Sequence, residues 1–489
     1  MIRWLISLFG FLNAEDGSLR QKAIRSTVWV GLSTAGMTSL SLIKSIILAR
    51  LLTPDHFGLM SACMVVIRAA EVFTETGLGP ALIQRQARVE DAVPTAFSMQ
   101  AARGVVLAAI VFALAPFVAE FYEQPRLTSL LEVLAAAMLL GGLSNLNTIA
   151  LQKELRFRPL FRLQQAVAVT DLVVTVSLAL LLRDVWALVL GQVVKAVVAV
   201  LLSYALLPGR PRFGWDRRIA RELLAYGRFI TGVTVVVYVT TEIDNVVIGK
   251  VLGMQALGIY VVAYMLANLP ATHLSKVISG VMFPAYSKLQ DDRSLLLRAY
   301  LETTRVVATV ALPLAVGLAV LADELVTLVY GQAWRQAATV LPLLCVFGAL
   351  RAVSSTNGYV FNAIGKPQIP FFINLAKLAM IAALIVPMTR QYNIIGAAAA
   401  VTLPSVVMFA VSYAVFSKTL KVPVSRMFAA VTPSILASAI MASGLMLTKQ
   451  WYSLGDPGRL LLAITGSVVL YAMANWRDVR RAAKLVLDR

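Results

Sequence analysis

Charge is what this chain has least of. Only 14 % of its 489 residues are Asp, Glu, Lys or Arg, where soluble domains carry about 25 %. Acids are the scarcer sign, 25 against 44 bases, which leaves a net charge of +19. Cysteine is almost missing. Cys63 and Cys345 sit in apolar stretches with no CxxC spacing, so a disulfide scaffold and a thiolate metal site are excluded, and both read as small core residues. Histidine is equally rare. His56 and His273 stand far apart and offer no metal-ligand spacing. Long polar segments are absent, and no gap between apolar stretches is long enough to fold as a catalytic domain. A soluble enzyme and a DNA-binding protein are thereby excluded.

What fills the chain is hydrocarbon. Hydrophobic types make up 59 % and the mean hydropathy is +0.79. A membrane helix needs about 20 predominantly apolar residues. Fourteen such windows are found, roughly 26–48, 58–80, 97–119, 127–150, 160–182, 186–207, 226–249, 256–281, 300–322, 336–363, 368–388, 394–417, 427–448 and 459–476. The runs are continuous rather than alternating, which excludes a strand barrel. The fold expected is an all-α polytopic membrane protein of about 14 transmembrane helices. At the N-terminus, Arg3 precedes "WLISLFGFLNA" without an A-x-A cleavage site. The segment reads as an interfacial helix with Trp4, Phe9 and Phe11 among the headgroups, rather than as a signal peptide.

Position explains the basic excess. With the N-terminus inside and the spans alternating, inner segments hold 26 Lys and Arg and outer segments 8. That asymmetry predicts both termini in the cytoplasm. The bases face anionic lipid and not nucleic acid.

The chain also resembles itself. "KSIILARLLTPDHFGLMSA" (44–62) aligns with "DNVVIGKVLGMQALGIYVV" (244–262) at an offset of 200, matching Arg50 with Lys250, Leu52 with Leu252 and Gly58 with Gly258. Helices 1 and 7 then correspond, and the halves are parallel repeats. The organisation expected is an interfacial segment (1–25), an N-lobe of helices 1–6 (26–207), a basic linker (208–225), a C-lobe of helices 7–12 (226–417), helices 13–14 (427–476) and a basic tail (477–489). Two pseudo-symmetric six-helix bundles with a cleft between them suit alternating access.

Charges inside spans cost about 2.5–3.5 kcal/mol each at the bilayer centre, so they face partners or cavities. Ten bases and five acids lie there. A net positive interior favours an anionic substrate, and Lys and Arg suit phosphate. The candidate phosphate contacts are Lys44, Arg68, Arg103, Lys276 and Arg351. The candidate ion-coupling or gating acids are Glu71, Glu75, Asp171 and Asp244. Arg68, Glu71 and Glu75 share one helix face, as a structural ion pair or as a polar wall. Lys44 and Asp244 match in the repeat and form a candidate gating bridge. Asn245, Asn268, Asn357 and Asn374 can hydrogen-bond sugars or simply line helix contacts. No cofactor or metal is called for.

The segments "LARLLTPDHFGL" (48–59), "TETGLGPALIQR" (74–85), "APFVAEFYEQPRL" (115–127), "WALVLGQVV" (186–194), "DNVVIGKVLGMQALGIYVVAY" (244–264), "FPAYSKLQDD" (283–292) and "FNAIGKPQIPF" (361–371) together resemble the polysaccharide-synthesis branch of the MOP flippase superfamily. The likeness is strongest to Wzx-type colanic-acid and teichuronic-acid exporters. The resemblance implies a V-shaped transporter in the bacterial inner membrane with two extra C-terminal helices. It also implies that the chain is no enzyme. Its substrate would be an undecaprenyl-pyrophosphate-linked oligosaccharide, moved between leaflets for exopolysaccharide, capsule or O-antigen synthesis. A polymerase and a chain-length regulator are the partners implied. The family has no sharp site motif, so no site residue is carried over. The related lipid II flippases hold pyrophosphate with cleft arginines, which agrees with the positive interior. Three other readings stand beside this one, the first a purely structural scaffold in a polysaccharide-assembly complex, against which the intramembrane charges argue. A multidrug or cation exporter of the same superfamily needs a cleft rich in acids and aromatics. A membrane enzyme acting on the same lipid carrier needs larger outer loops or a catalytic cluster.

Overall fold

The computed structural model describes the backbone of residues 19–75, 77–85, 89–207, 209–449 and 457–487. Side chains are described over the same stretches except at 19–24, 27, 89, 225–233, 273–281, 283–284, 457 and 482–487. The N-terminal interfacial segment lies outside the described residues.

The described chain is all-helical. In order the helices are α1 (Leu19–Leu51), α2 (Pro54–Phe73), α3 (Leu78–Gln84), α4 (Val89–Tyr122), α5 (Arg126–Gly142), α6 (Asn147–Lys153), α7 (Phe157–Leu182), α8 (Trp186–Leu206), α9 (Arg217–Leu252), α10 (Met254–Lys288), α11 (Arg293–Val320), α12 (Ala322–Leu325), α13 (Arg335–Ala363), α14 (Gln368–Leu420), α15 (Val424–Thr448), α16 (Pro457–Ala474) and α17 (Trp476–Leu487). A π turn (Val326–Tyr330) and a 3-10 turn (Gln332–Trp334) join α12 to α13. Helices satisfy their own backbone groups, the condition for crossing hydrocarbon.

Each of the fourteen apolar windows overlaps a helix, with 58–80 running from α2 into α3 and 127–150 from α5 into α6. Among the described residues, ten helices are long and apolar enough to cross a membrane, or eleven if the bent pair α5–α6 is one span. Three further windows separate this count from fourteen, one of them 226–249 on α9, which is not among the ten. α14 runs through two windows, with a break at Tyr392 (φ −120°, ψ 15°) and Asn393 (φ 54°, ψ −140°). Asn tolerates positive φ better than most residues. Gly396 lets the second arm close on the first, since a Cβ there would lie 1.9 Å from the Met388 carbonyl oxygen. The apolar part of α16 is short for a span. Large apolar side chains stay on the outside: Leu181 is 80 % exposed, Leu447 77 % and Leu462 73 %. Such a surface is at home in lipid, not water. The protein is a multi-pass membrane protein.

The chain divides into two compact units. Unit 1 takes Met1–Leu52 and Ala62–Tyr238; unit 2 takes Thr53–Ser61 and Val239–Arg489. The division falls within α9, and the first turns of α2 belong to unit 2. In unit 1, Leu78, Leu82, Ala96, Phe97, Leu146 and Leu223 form a core. Buried Asn145 closes the α5–α6 bend by donating from Nδ2 to the carbonyls of Ser203 and Gly209. In unit 2 the core is aromatic, built on Tyr286, Tyr300, Phe361, Tyr413 and Phe416, with Tyr300 stacked on Phe416 at 4.3 Å. Its C-terminal helices dock through polar contacts. The Tyr471 hydroxyl donates to the Thr309 carbonyl at 2.7 Å, Asn475 to Ser434 Oγ at 3.2 Å, and Asp478 pairs with Arg305 at 3.6 Å.

The glycines matched at offset 200 meet within unit 2. A Cβ on Gly58 would lie 1.8 Å from the Met254 carbonyl oxygen, and one on Gly258 would lie 1.9 Å from that of Pro54. The starts of α2 and α10 therefore touch backbone to backbone, which a side chain at either position forbids.

Candidate functional site

Unit 1 holds a cavity of about 450 Å³ between α1, α7 and α8. Each helix turns one face to it. α1 contributes Ser41 and Lys44, α7 contributes Gln164 and Asp171, and α8 contributes Gln192 and Lys195, among apolar neighbours. The spacing of three, four or seven residues along each helix is that of a single face. Asp171 is the centre. Its Oδ2 lies 2.7 Å from Lys44 Nζ and 3.6 Å from Lys195 Nζ. Its Oδ1 accepts from Thr175 Oγ1 at 3.0 Å. Gly191 makes room for that hydroxyl, because a Cβ there would stand 2.3 Å from Thr175 Oγ1. Gln164 Oε1 accepts from the Ser33 hydroxyl, and Gln165 Nε2 donates to the Ser33 carbonyl at 3.1 Å.

A second polar group in unit 1 closes the end of α2. Arg103 of α4 donates from Nη2 to the Glu71 carbonyl at 2.9 Å, and the same nitrogen lies 3.3 Å from Glu75 Oε2. Glu75 Oε1 accepts from the Gly77 amide at 2.9 Å. The last carbonyls of a helix lack internal partners, and an arginine commonly supplies one. Arg103 is thus engaged as a cap. Arg103 and Arg68 both lie in electrostatic range of Glu71.

Unit 2 treats its charges differently. Asp244 on α9 is buried. Its Oδ2 accepts from the Tyr260 hydroxyl at 2.7 Å and its Oδ1 from the Asn245 amide at 2.9 Å. Asn245 Nδ2 donates to Glu242 at 2.8 Å. Arg351 of α13 donates to Asn268 Oδ1 at 3.0 Å, and Asn268 donates to the Tyr264 carbonyl at 3.0 Å. Lys377 of α14 sits 4.8 Å from the centroid of the Phe347 ring, a cation–π distance. Gly348 permits this closeness of α13 and α10, since a Cβ there would fall 2.2 Å from the Ala267 carbonyl oxygen.

The candidates named from the sequence are thus sorted. Lys44 and Asp171 are brought together, with Lys195 as a second cation not singled out beforehand. Lys44 and Asp244 each have a partner within their own unit. Arg103 joins Glu75. Arg351 joins the Asn268 ladder. The side chain of Lys276 lies outside the described residues. Asn357 is committed to structure, accepting from Tyr300 at 2.7 Å and donating to Ser412 at 3.1 Å. Asn374 donates to the Pro370 carbonyl at 2.8 Å within its own helix. Thr175 and Tyr260 were not foreseen, because a hydroxyl in an apolar helix carries no sign of its partner. Lys195 had a signal, a lone cation in an apolar run three residues after Gln192.

Known proteins share this architecture. The sequence profile of the polysaccharide biosynthesis protein family matches residues 47–339. The chain is 25 % identical over 459 residues to the teichuronic acid biosynthesis protein TuaB of Bacillus subtilis, covering 93 % of this chain and 95 % of the relative. It is 27 % identical over 403 residues to the lipopolysaccharide biosynthesis protein WzxC of Escherichia coli, covering 82 % of each. In fold it is similar to the lipid II flippase MurJ in an inward closed conformation, with a TM-score of 0.72, 15 % identity and coverage of 92 % of this chain and 98 % of that one.

Proposed function

We propose, for a chain that belongs to the polysaccharide biosynthesis protein family, that it translocates undecaprenyl-pyrophosphate-linked oligosaccharide units from the inner to the outer leaflet of the bacterial inner membrane. It is a transporter and not an enzyme. Two pseudo-symmetric six-helix bundles work by alternating access around a cleft, with two further helices at the C-terminal end and both termini in the cytoplasm. The translocated unit then goes to a polymerase and a chain-length regulator.

The observation that carries this reading is the basic cavity of unit 1. Two lysines surround one carboxylate in the spanning region, and such a cavity attracts anions. Lys44 and Arg351 serve as phosphate contacts in their respective units. Glu71 and Glu75 are left as the acids for ion coupling, Asp171 being held by two lysines and Asp244 by neutral donors. The export direction is favourable in itself. Each negative charge moved outward gains about 2.3 kcal/mol per 100 mV of potential, positive outside.

The test is made on lipid extracts of a deletion strain. The reading requires that one complete lipid-linked repeat unit accumulates while surface polymer is lost. Sensitivity to cationic drugs without such accumulation contradicts it and points to a drug exporter.

A further inference from the structure

Residues 209–216, between α8 and α9, form no helix, yet unit 1 holds their backbone in place. Asn145 Nδ2 donates to the Gly209 carbonyl at 3.0 Å. Ser98 Oγ donates to the Gly214 carbonyl at 2.9 Å and accepts from the Gly214 amide at 3.0 Å. Thr95 Oγ1 accepts from the Asp216 amide at 3.0 Å. The rings of Phe97 and Phe213 lie 4.9 Å apart, and a Cβ on Gly214 would stand 2.8 Å from that of Pro94. The grip is mainly on the main chain, so the side chains are left outside. Phe213 is 69 % exposed and Trp215 67 %. Arg210, Arg212, Arg217, Arg218 and Arg221 are all exposed, and none of the five is in an ion pair among the described residues. The two acids of the segment are turned to other work. Asp216 Oδ1 accepts from the amides of Arg218 and Ile219 as the cap of α9, with the Arg218 charge in range, and Glu222 lies 3.3 Å from Arg85.

We infer that this strip is a docking surface for the headgroups of anionic phospholipids in the leaflet where α8 ends and α9 begins. Its place fixes the partner. Only residues 207–216 separate Leu206, the end of α8, from Arg217, the start of α9, so the strip cannot leave the edge of the hydrocarbon. Aromatic side chains settle at headgroup depth. Arginines lay their apolar stems beside them and reach the phosphates, which their planar forks take two oxygens at a time. A soluble acidic partner offers the charge but no hydrocarbon for Phe213 and Trp215. A zwitterionic headgroup adds a cation that five arginines repel, and an anionic one does not. Unit 1 has already fixed the backbone, so docking pays little ordering entropy. The orientation rule asks only for an excess of bases on one side; it does not ask for a held backbone or for aromatics among them. The inference rests on the chain crossing a membrane and on nothing about its cargo.

The experiment reads which lipid sits beside Trp215. The full chain is reconstituted in vesicles of phosphatidylglycerol and phosphatidylcholine in equal amounts. Bromine, which quenches tryptophan fluorescence on contact, is on the chains of one lipid in one set and of the other in the second. The Trp215 signal is the difference between the wild type and Trp215→Phe. One basic residue near an anionic surface is worth about fivefold in lipid partitioning, so phosphatidylglycerol should be favoured beside Trp215 by about tenfold or more. Arg212→Gln with Arg217→Gln and Arg218→Gln should remove most of that preference. Lys418→Gln with Lys421→Gln and Arg426→Gln takes the same charge from exposed positions of unit 2 and should leave the preference standing. Equal quenching by the two lipids overturns the inference. Equal loss in the two triple variants also overturns it, since overall charge would then suffice. Inorganic phosphate, at an ionic strength matched with chloride, should displace no lipid; displacement makes the strip a site for free phosphate instead. Trp215 that neither lipid quenches lies outside the headgroup layer and leaves the strip to a soluble partner. Should the first triple variant fail to fold, the wild type in the two lipid sets decides alone.

Discussion

Lys44 and Asp244 occupy matching positions in two segments of the chain that align at an offset of 200, yet their surroundings answer the same problem in opposite ways. Lys44 borders an open cavity and is met by a full opposite charge, Asp171, with a second lysine close by. Asp244 is buried and is met by neutral donors, the Tyr260 hydroxyl and the Asn245 amide. A charge answered by an ion beside a cavity has a partner that another ion can replace. A charge enclosed by neutral hydrogen bonds has no such replaceable partner, and its bonds hold helices together. The unit 1 cavity therefore offers an entering anion exchangeable cations, whereas the Asp244 hydrogen bonds tie α9 to α10.

Four tests break or sharpen that contrast. The largest effect is expected for Asp171→Leu, which strands two lysines against an apolar wall. Removing one partner of a buried pair costs up to about 3–5 kcal/mol; Lys195 is 41 % exposed, which lowers this. Loss of monodisperse protein, or a large fall in Tm, is the expected result, and an unchanged Tm contradicts the account of the cavity. Next comes Tyr260→Phe. It takes the hydroxyl from Asp244 Oδ2, and a buried acceptor left without its donor costs about 1–3 kcal/mol. Thermal unfolding should register this fall, whereas Lys195→Gln in unit 1 should leave Tm almost unmoved.

Third is a pair of glycines. Gly348→Ala meets the Ala267 carbonyl, which cannot turn away, while Gly191→Ala meets the Thr175 hydroxyl, which can. Overpacking typically costs about 1–3 kcal/mol, and Gly348→Ala should stand above Gly191→Ala within that range. Equal effects would mean that the α7–α8 and α10–α13 contacts are equally rigid.

The smallest effect lies outside the membrane. Asp292 caps α11 and Asp216 caps α9. The backbone N–H of Leu295 and the Ser294 side chain and amide hold the Asp292 carboxyl below its usual range; those of Ile219 and Arg218 do the same for Asp216. A depressed folded-state value stabilises the fold fully above the unfolded value, about 3.9, and the gain is lost as pH falls through the folded value. Asp292→Ala should therefore lower Tm slightly at neutral pH, and the two unfolding curves should converge in strong acid. A constant difference down to pH 2 contradicts the cap.

Much of this architecture was legible beforehand because a membrane imposes it. Only helices and closed barrels satisfy their backbone in lipid, so continuous apolar runs located the long helices, while the short α12 and the basic α17 had no window of their own. The break at Tyr392 and Asn393 divides α14 into two arms and falls between the windows 368–388 and 394–417. The cavity was legible only in part. Lys44 and Asp171 stood out as charges in oil, but their pairing joins α1 to α7 across 127 positions, and no pattern in one sequence reports that. Arg103 looked like a ligand contact for the same reason. Its engagement with the end of α2 depends on where α4 packs. The small residues behaved similarly. Gly58 and Gly258 were matched as a repeat, and their mutual contact emerged only from the packing of α2 on α10.

The most direct test of translocation uses the purified full chain in proteoliposomes with an energised membrane, positive outside with respect to the protein's cytoplasmic face. A fluorescent polyprenyl-diphosphate saccharide is loaded in the leaflet on that face, and its arrival in the opposite leaflet is read with an impermeant quencher. The account predicts protein-dependent transfer that Lys44→Gln with Lys195→Gln slows severely. Substrate that stays in its original leaflet, with folded protein present, contradicts it.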